Sequence, residues 1–306
     1  MKTFVIVNPA SANGRTGKNW PALRESLESV IGSFSFQFTE LMKPASAIAT
    51  TALQGGFERV ISIGGDGTFS ETVNGYFKDN KPVNPEAILA FITQGTGGDF
   101  QETLGSGKSF PDALSAISLN RVKRVDVGKI TSKDNSNEEI SRYFINIASF
   151  GMGGKIADRM NNSVFLKKLG GKTAFYLITL YTLVFYKNAP VSLGFNNKVI
   201  EAKIRNVAVA NARFHGGGMM MAPDALTDDG LLDIVVFDNM SFLEMLFLSK
   251  KIYTGGHIGH PKVRTFRAGS IKVDSDIPIR IEVDGEVFGV LPADFEILPK
   301  ALKLQF

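Results

Sequence analysis

The residues Gly64-Gly65-Asp66-Gly67-Thr68 have the types and the spacing that a phosphate site needs. An apolar stretch leads into them and a helix-like segment follows. Glycines at such a junction leave backbone N–H groups open, so a polyphosphate can approach without meeting a Cβ atom. The positive end of the helix points the same way, and Asp66 can meet a metal ion or order water around phosphates. This pattern favours a nucleotide-dependent phosphotransferase; the alternative is a tight turn in which Asp66 caps the helix.

Two further loops offer polar groups to the same kind of ligand. Residues 8–14 place Asn8, a proline and small side chains directly after an apolar strand. Residues 94–100 combine glycines with the Thr96 hydroxyl and the Asp99 carboxylate. Each loop alone could be an ordinary turn between a strand and a helix. Two glycine-containing loops at the same sheet edge as the first turn favour a phosphate site.

Carboxylates gather in two segments near the end of the chain. Residues 224–230 carry three of them beside a glycine, which can hold a hard cation or only cap a turn. In Asp284-Gly285-Glu286, the Asp-Gly pair is a strong hairpin signal. Asp284 and Glu286 are two residues apart, so both can face the same side of a ribbon. A carboxylate held there can remove a hydroxyl proton while a phosphoryl group is transferred.

The elements that position these residues change character along the chain. Up to residue 118 the pattern predicts strands at 3–7, 35–40, 59–63 and 87–92, and helices at 20–31, 45–54, 68–77 and 110–118. This alternation predicts a parallel sheet wrapped by helices, with ligands beyond the carboxyl ends of the strands. Asn8, Thr39, Gly64 and Thr93 lie at such ends. From residue 124 onward, strand-like segments, one of them at 141–148, and turn signals predict a second, mainly antiparallel domain.

The segment 163–186 leaves two interpretations open. Five of its apolar residues recur at helical spacing, and Lys167, Lys168 and Lys172 lie just ahead of them. An interfacial helix that presents aromatic rings to lipid is one interpretation. We favour the other, a helix buried against the second sheet, because apolar stripes usually face a core. The five apolar residues are Ala174, Leu177, Ile178, Tyr181 and Phe185.

Composition narrows the class of protein. The chain has 306 residues, 44% of them hydrophobic and 21% charged, which suits a globular protein of two domains. A net charge of +4 is too small to argue for nucleic acid but is compatible with phosphate ligands or an anionic membrane surface. The absence of cysteine excludes disulfides and thiolate metal sites. The N-terminus lacks a signal-peptide pattern, so we expect a cytoplasmic chain that can touch a membrane from one side.

The histidines carry no recognisable metal pattern. His257 and His260 are three residues apart, but the glycines around them argue against a helix. With no cysteine and no acidic ligand nearby, a zinc site is not indicated. We therefore interpret His215, His257 and His260 as loop histidines and not as zinc ligands.

Taken together, these motifs resemble the catalytic family of diacylglycerol kinases, especially its bacterial lipid kinases. The resemblance runs from Asn8 almost to the end of the chain. Its most specific part is the turn at residues 64–68 with Glu71, Asn74 and Gly75 in the following helix. The other matching segments are Gly216-Gly217-Gly218-Met219, Asp229-Gly230-Leu231-Leu232-Asp233 and Asp284-Gly285-Glu286.

The resemblance implies an α/β fold of two domains, a doubly wound parallel-sheet nucleotide domain and a larger β-rich, mainly antiparallel acceptor domain. The first comprises residues 1–123 plus 296–306 and the second residues 124–295. It implies ATP and Mg²⁺, with the metal bound by the carbonyls of Leu226 and Leu231 and the side chain of Asp229. Asp284 takes the acceptor proton and Glu286 supports it. The implied nucleotide-binding residues are Asn8, Pro9, Ala10, Ser11, Ala12, Thr39, Gly64, Gly65, Asp66, Gly67, Thr68, Phe69, Ser70 and Thr96.

The implied activity is phosphorylation of a hydroxyl of diacylglycerol or a related lipid, with transient contact at a membrane surface and no nucleic-acid partner. Ala12, Gln94, Gly98 and Asp228 depart from the residues usual in the family. The alternatives are therefore a kinase of another acceptor, a sphingoid base or NAD, and a nucleotide-sensing protein with a decayed site. The oligomeric state is left open, a homodimer included.

Overall fold

The computed structural model of the chain describes residues 1–94, 97–134, 136–162 and 171–306. The first part of the chain contributes four parallel strands, β1 (Thr3–Val7), β2 (Ser35–Phe38), β3 (Arg59–Gly64) and β6 (Ile88–Thr93). They lie side by side in the order β6-β3-β1-β2. A short hairpin of β4 (Phe77–Lys78) and β5 (Lys81–Pro82) lies between β3 and β6 along the chain.

Helices cover both faces of these parallel strands because successive side chains of a strand point in opposite directions. Val5 and Val7 pack with α1 and α5, whereas Ile6 packs with α2 and α3. The parallel strands thus lie between two apolar layers, and their carboxyl ends are left to the loops. The helices are α1 (Arg15–Ile31), α2 (Ala45–Gln54), α3 (Asp66–Asn74), α4 (Asp99–Leu104) and α5 (Phe110–Ser118).

The rest of the described chain is mainly antiparallel. Its strands are β7 (Val122–Lys133), β8 (Glu139–Phe144), β9 (Ile147–Gly151), β10 (Ala189–Phe195), β11 (Lys198–Ala210), β12 (Phe214–His215), β13 (Met219–Met220), β14 (Leu232–Asp238), β15 (Val263–Ala268), β16 (Ser270–Asp274), β17 (Arg280–Val283) and β18 (Glu286–Gln305). Three helices accompany them, α6 (Met152–Asn162), α7 (Gly171–Phe185) and α8 (Phe242–Lys251). Alternate residues of these strands build one large core of valine, isoleucine and phenylalanine side chains.

The last strand, β18, connects the two regions. It starts opposite β17 at the Asp284 turn and runs antiparallel to β7 for most of its length. Its end then pairs in parallel with β6, with Lys303 opposite Ile88 and Gln305 opposite Ala90. One strand therefore leads from the acidic hairpin back to the parallel strands, and the sheet is continuous.

The mixed α/β class and the antiparallel character of the rear region are confirmed, and the division into two domains stays a prediction. The predicted helices 45–54 and 110–118 have the observed bounds, but α1 begins at Arg15 and α3 ends at Asn74. The single strand predicted over 141–148 is wrong. It is broken into β8 and β9, because the N–H groups at the break bind the Asp284 carboxylate. α4 and β15 were not predicted.

Helix α7 is only partly buried, so the interpretation we favoured for it is incomplete. Ile178 and Leu183 face the protein, whereas Leu177, Tyr181 and Phe185 are exposed. Residues 163–170, and with them Lys167 and Lys168, lie outside the described residues. Among the described helices, none combines the length and the hydrophobicity that crossing a bilayer requires.

Candidate active site between the glycine turn and the acidic hairpin

The Gly64 turn has no room for a side chain at its first position. A Cβ atom on Gly64 would lie 2.6 Å from Oγ1 of Thr68, closer than any real contact. The same Oγ1 accepts a hydrogen bond of 2.8 Å from Nδ2 of Asn8, which ties the first loop to this turn. The first N–H groups of α3 have no acceptor within the helix. Glycine, threonine and asparagine thus shape a turn whose N–H groups can face phosphate.

Asp66 is not the N-cap of this helix, so the capping role in the alternative interpretation of the turn is wrong. It is the first residue of α3, after Gly65, and its two carboxylate oxygens each accept the N–H of Gly98 at 3.0 Å. A Cβ atom on Gly97 would overlap Asp66, so a glycine is required where the two loops meet. Burial raises the pKa of Asp66 more than the Gly98 N–H lowers it. Asp66 therefore joins two of the predicted loops.

The first loop is wound in the left-handed region. Ala12, Asn13 and Gly14 have φ values of 53°, 57° and 81°. Glycine adopts this conformation without strain, which explains why the related motif usually carries glycine where this chain has Ala12. The hydroxyl of Ser11 donates to the carbonyl of Asn8 at 2.8 Å and holds the loop closed.

Other predicted nucleotide-binding residues lie at the same sheet edge with their side chains engaged elsewhere. The ring of Phe69 stacks on Phe91 at 4.0 Å in the core, so only its backbone can face a ligand. The N–H of Thr39 donates to the carbonyl of Val7 at 2.8 Å, which places Thr39 beside the end of β1. Thr96 lies outside the described residues. Pro9 and Ala10 continue the first loop next to Asn8.

The acidic hairpin brings Asp284 to the phosphate turn. Asp284 and Gly285 have φ values of 48° and 89°, the conformation of a tight two-residue hairpin. The Asp284 carboxylate accepts the Ser70 hydroxyl at 2.9 Å and three backbone N–H groups between 3.1 and 3.2 Å. Burial raises the pKa of Asp284, and the donors lower it only in part. The N–H groups belong to Ile145, Asn146 and Ile147.

Glu286 lies over the same turn from the other strand of the hairpin. Its side chain is exposed, and its Oε1 is 4.0 Å from the position that a Cβ on Gly67 would take. The structure therefore brings both predicted catalytic carboxylates to the first turn of α3. Asp284 is held by four donors, whereas Glu286 faces solvent.

The predicted magnesium site does not fit its side chains. The Asp229 carboxylate pairs with Arg267 and accepts the N–H of Leu231 at 3.1 Å, so its charge is already neutralised. Arg267 also lies 3.3 Å from Asp233, whose pKa burial raises to about 6. In the described ranges, no three histidine or carboxylate side chains form a group that could hold a metal ion. The carbonyls of Leu226 and Leu231 alone do not make a magnesium site.

A buried ion pair beside the hairpin was missed. Nε2 of His215 lies 3.1 Å from Oε1 of Glu282, which is 2% exposed. Burial lowers the pKa of His215, but Glu282, Asp99 and Asp284 raise it, to about 9. His215 lies on β12 and pairs with Glu282, so its interpretation as a loop histidine is wrong. A charged Glu282 between Ile281 and Val283 in an apolar strand was the signal that could have revealed its partner.

The other two histidines have structural surroundings. His257 is fully buried, stacks on Phe237 at 5.6 Å, and places Nε2 3.1 Å from the carbonyl of Met221. His260 is a loop histidine whose Nδ1 accepts the N–H of Lys262. Neither reaches the hairpin through any described contact.

Comparison with known proteins agrees with this geometry. The family model described as the diacylglycerol kinase catalytic domain matches residues 2–130. A second, described as the YegS C-terminal NAD kinase beta sandwich-like domain, matches residues 146–306, more than half of the chain. The chain therefore belongs to the family of this second domain, and its first part matches the diacylglycerol kinase catalytic domain. It is thus a kinase that transfers a phosphoryl group to an alcohol, as predicted from the sequence.

Relatives of this kinase cover nearly its whole length. A diacylglycerol kinase of Staphylococcus saprophyticus is 28% identical over 291 residues, covering 95% of this chain and 90% of its own. One of Staphylococcus carnosus is 29% identical over 292 residues with the same coverage. A Bacillus anthracis crystal structure assigned as a diacylglycerol kinase is 25% identical, with a TM-score of 0.78, covering 100% of this chain and 96% of its own.

A yeast NADH kinase complexed with NADH shares the fold. It superimposes with a TM-score of 0.54 at 12% identity, covering 99% of this chain and 82% of its own. At this level of identity the likeness concerns the fold and says nothing about the acceptor.

Proposed function

We propose that this kinase transfers the terminal phosphoryl group of ATP to a hydroxyl of diacylglycerol or a related lipid. The observation that carries the proposal is the 2.9 Å hydrogen bond from Ser70 to Asp284, which joins the glycine turn to a partly buried carboxylate. The relatives named diacylglycerol kinase, in two Staphylococcus species, support the choice of acceptor.

The glycine turn is the proposed phosphate site. The N–H groups at the start of α3 and the loop around Asn8 hold the triphosphate of ATP, which arrives with Mg²⁺ as part of the substrate. Asp66, set between two loops by its bond to Gly98, faces that cation. Catalysis by such a site consists mainly of positioning and electrostatic stabilisation of the transferred group.

Asp284 is the proposed general base. A carboxylate has about four lone-pair positions, and Asp284 already accepts four hydrogen bonds. The acceptor hydroxyl must therefore replace one donor, and Ser70 is the side chain that can rotate away. The lipid oxygen gives its proton to Asp284 and forms a bond to the terminal phosphorus, while the bond to the ADP oxygen breaks. Glu286 supports the site from the exposed side.

We also retain the proposed domain boundaries, with residues 1–123 and 296–306 forming the nucleotide domain and residues 124–295 the acceptor domain. The parallel pairing of Lys303, Leu304 and Gln305 with β6 supports the return of the chain end to the first domain. In this arrangement the hairpin reaches the phosphate turn from the acceptor domain. A metal at Asp229 is not part of the proposal.

An exposed apolar surface supports a lipid acceptor. We call it the α7–α8 surface; it is bordered by the exposed lysines Lys187, Lys250 and Lys251. Large exposed apolar surfaces on a protein usually mark an interaction site. Aromatic and aliphatic side chains edged by lysine suit the face of an anionic bilayer, which supports a peripheral position of the kinase at a membrane surface. Its members are Tyr176, Leu177, Leu180, Tyr181, Val184, Phe185, Leu243, Leu246, Phe247 and Tyr253.

The function is tested by offering diacylglycerol, sphingosine and NAD to the purified protein with ATP labelled on its terminal phosphate. We expect the label in the diacylglycerol product. Transfer to sphingosine or to NAD instead would support a kinase of another acceptor. ATP binding without transfer to any of these, or to a total lipid extract, would support a nucleotide-sensing protein and contradict the proposal.

A further inference from the structure

The ion pair of His215 and Glu282 lies directly behind the turn that carries Asp284. Glu282 is on β17, two residues before Asp284, which lies in the turn that follows this strand. Its Oε2 accepts the N–H of Gly285 at 2.8 Å, and its Oε1 accepts the Ser149 hydroxyl at 2.7 Å. The Glu282 carboxylate therefore stabilises the conformation of the turn through the Gly285 N–H. The conformation of the turn in turn sets the direction of the Asp284 side chain.

His215 is itself held by the loop that follows it. Gly216, Gly217 and Gly218 have φ values of 65°, 87° and 97°, a succession that glycine adopts without strain. The N–H groups of Gly217 and Gly218 donate to the two oxygens of Asp99 at 2.9 and 2.8 Å. The backbone beside His215 is thus anchored on α4.

The contacts form a continuous path between the two halves of the proposed site. Asp66 binds Gly98, whose neighbour Asp99 binds the glycine loop, and His215 in front of that loop binds Glu282. Glu282 then binds Gly285 in the acidic hairpin. The path links the phosphate turn to the base turn without passing through either reactant.

His215 is the positively charged group among several carboxylates. Glu282 of β17, Asp99 of α4 and Asp284 of the hairpin all act on its imidazole, and the positive charge of His215 acts on Asp66 of α3. Burial raises the pKa of Glu282, but His215, Ser149 and Gly285 lower it, so that the group is ionised. Removing one partner of this ionised pair leaves the other charge uncompensated, and the Glu282 carboxylate is buried.

We propose that His215 and Glu282 are positioning residues that hold the Asp284 turn in register with the phosphate turn. The inference rests on the proposed function, because it assigns to the pair the support of the proposed base. Neither residue touches a reactant in this account. They act through the Gly285 N–H and the direction of the Asp284 side chain.

The geometric part of the proposal is tested by amide hydrogen exchange at Gly285, which requires no activity. His215→Gln keeps a polar side chain but removes the charge that holds Glu282. We expect protection of Gly285 to fall by at least about tenfold, because a hydrogen bond to a charged acceptor is lost or loosened. His260→Gln is the matched control, a loop histidine away from the hairpin, and should exchange like the unchanged protein. Equal protection in both variants would overturn the proposal.

The kinetic part is tested with diacylglycerol and ATP. Displacing a reacting group by a fraction of an ångström to one ångström lowers turnover by up to about 100-fold, so we expect His215→Gln and Glu282→Gln each to lower kcat within that range. The KM for ATP should change little. Because the pair acts as one unit, the double variant should be no slower than the slower single variant. Additive losses, or a loss confined to KM, would contradict a positioning role.

The exchange experiment and the kinetic experiment distinguish a failure of this inference from a failure of the proposed function. If the unchanged protein phosphorylates no lipid, the proposed function fails, and the exchange of Gly285 still decides whether His215 holds the turn. If the unchanged protein is active and Asp284→Asn is not, the proposed function stands. A His215→Gln variant with full kcat would then overturn the positioning role alone.

Discussion

Ser70 donates a hydrogen bond of 2.9 Å to the Asp284 carboxylate, although the two residues lie 214 positions apart in the chain. Ser70 belongs to α3, which starts at the phosphate turn, and Asp284 belongs to the hairpin between β17 and β18. Before the acceptor hydroxyl displaces Ser70, one direct contact therefore links the proposed phosphate site to the proposed base. The proposed phosphoryl transfer requires the two to lie this close.

Replacing Asp284 by asparagine should remove the base. We expect kcat to fall by at least ~100-fold, the usual contribution of general base catalysis. The asparagine NH₂ cannot accept the N–H groups that bind the carboxylate, so the free energy of unfolding should also fall, by about 1–3 kcal/mol. Assays well below the melting temperature, with ATP binding measured in parallel, separate the two effects. Turnover near that of the unchanged protein would show that Asp284 is only a structural turn residue.

Replacing Glu286 by glutamine tests the division of roles within the hairpin. Glu286 is exposed, so the variant should keep its melting temperature. We expect a loss in kcat clearly smaller than that of Asp284→Asn, since Glu286 supports the site without taking the proton. The same steady-state assay compares both variants. A larger loss for Glu286→Gln would assign the base to Glu286.

The His215–Glu282 pair predicts a stability that depends on pH. The pKa of His215 is about 9 in the folded chain, against the ordinary histidine value of 6.5, so its contribution is complete below pH 6.5 and is lost as the pH rises through 9. The difference corresponds to about 3 kcal/mol of unfolding free energy. Glu282, Asp99 and Asp284 are the charged groups that act on the imidazole.

Denaturant unfolding between pH 6.5 and 9 measures this contribution. The unchanged protein should lose stability over that interval, and Glu282→Gln should lose much less, because His215 then lacks the carboxylate with which it pairs directly. His260→Gln should keep the original dependence. Identical pH dependence in all three proteins would mean that His215 is not charged in the fold.

Two adjacent glycines of the phosphate turn should respond differently to alanine. A Cβ on Gly64 would lie 2.6 Å from Thr68, whereas a Cβ on Gly65 would meet no atom within 4 Å. Gly64→Ala should therefore lower the unfolding free energy by about 1–3 kcal/mol and weaken ATP binding. Gly65→Ala should keep its stability and still raise the KM for ATP, because the added carbon stands where the phosphate approaches. Melting curves and ATP kinetics measure both variants. An unchanged KM for ATP in Gly65→Ala would mean that the phosphate binds elsewhere.

The α7–α8 surface predicts binding to anionic vesicles. Phe247 is 78% exposed on α8, and burying such a ring contributes about 1.5–3 kcal/mol, so Phe247→Ser should weaken vesicle binding about tenfold or more. Leu41→Ser is the control, because Leu41 is fully exposed in a loop outside this surface. Co-sedimentation with vesicles of anionic and zwitterionic lipid measures the effect. Unchanged binding in Phe247→Ser, or a dimer that this variant dissociates, would assign the surface to a second copy of the chain.

The features that could be predicted from the sequence are those that depend on residues close together in the chain. The bounds of α2 and α5, the turn at Gly64 and the hairpin at Asp284 follow from local patterns of glycine and apolar residues. The break between β8 and β9 could not be predicted, because it depends on hydrogen bonds from Ile145, Asn146 and Ile147 to Asp284, which is distant in the chain. The pairing of His215 with Glu282 and of Asp229 with Arg267 also depends on the folded chain. These distant pairs decide which charges are available for chemistry.

The most direct test of the central claim is a crystal structure with magnesium and a non-hydrolysable ATP analogue. The account predicts the terminal phosphate at the N–H groups of the Gly64–Thr68 turn, with Asp284 facing it across the space of one hydroxyl group. A triphosphate bound elsewhere, or a terminal phosphate remote from Asp284, would contradict the account.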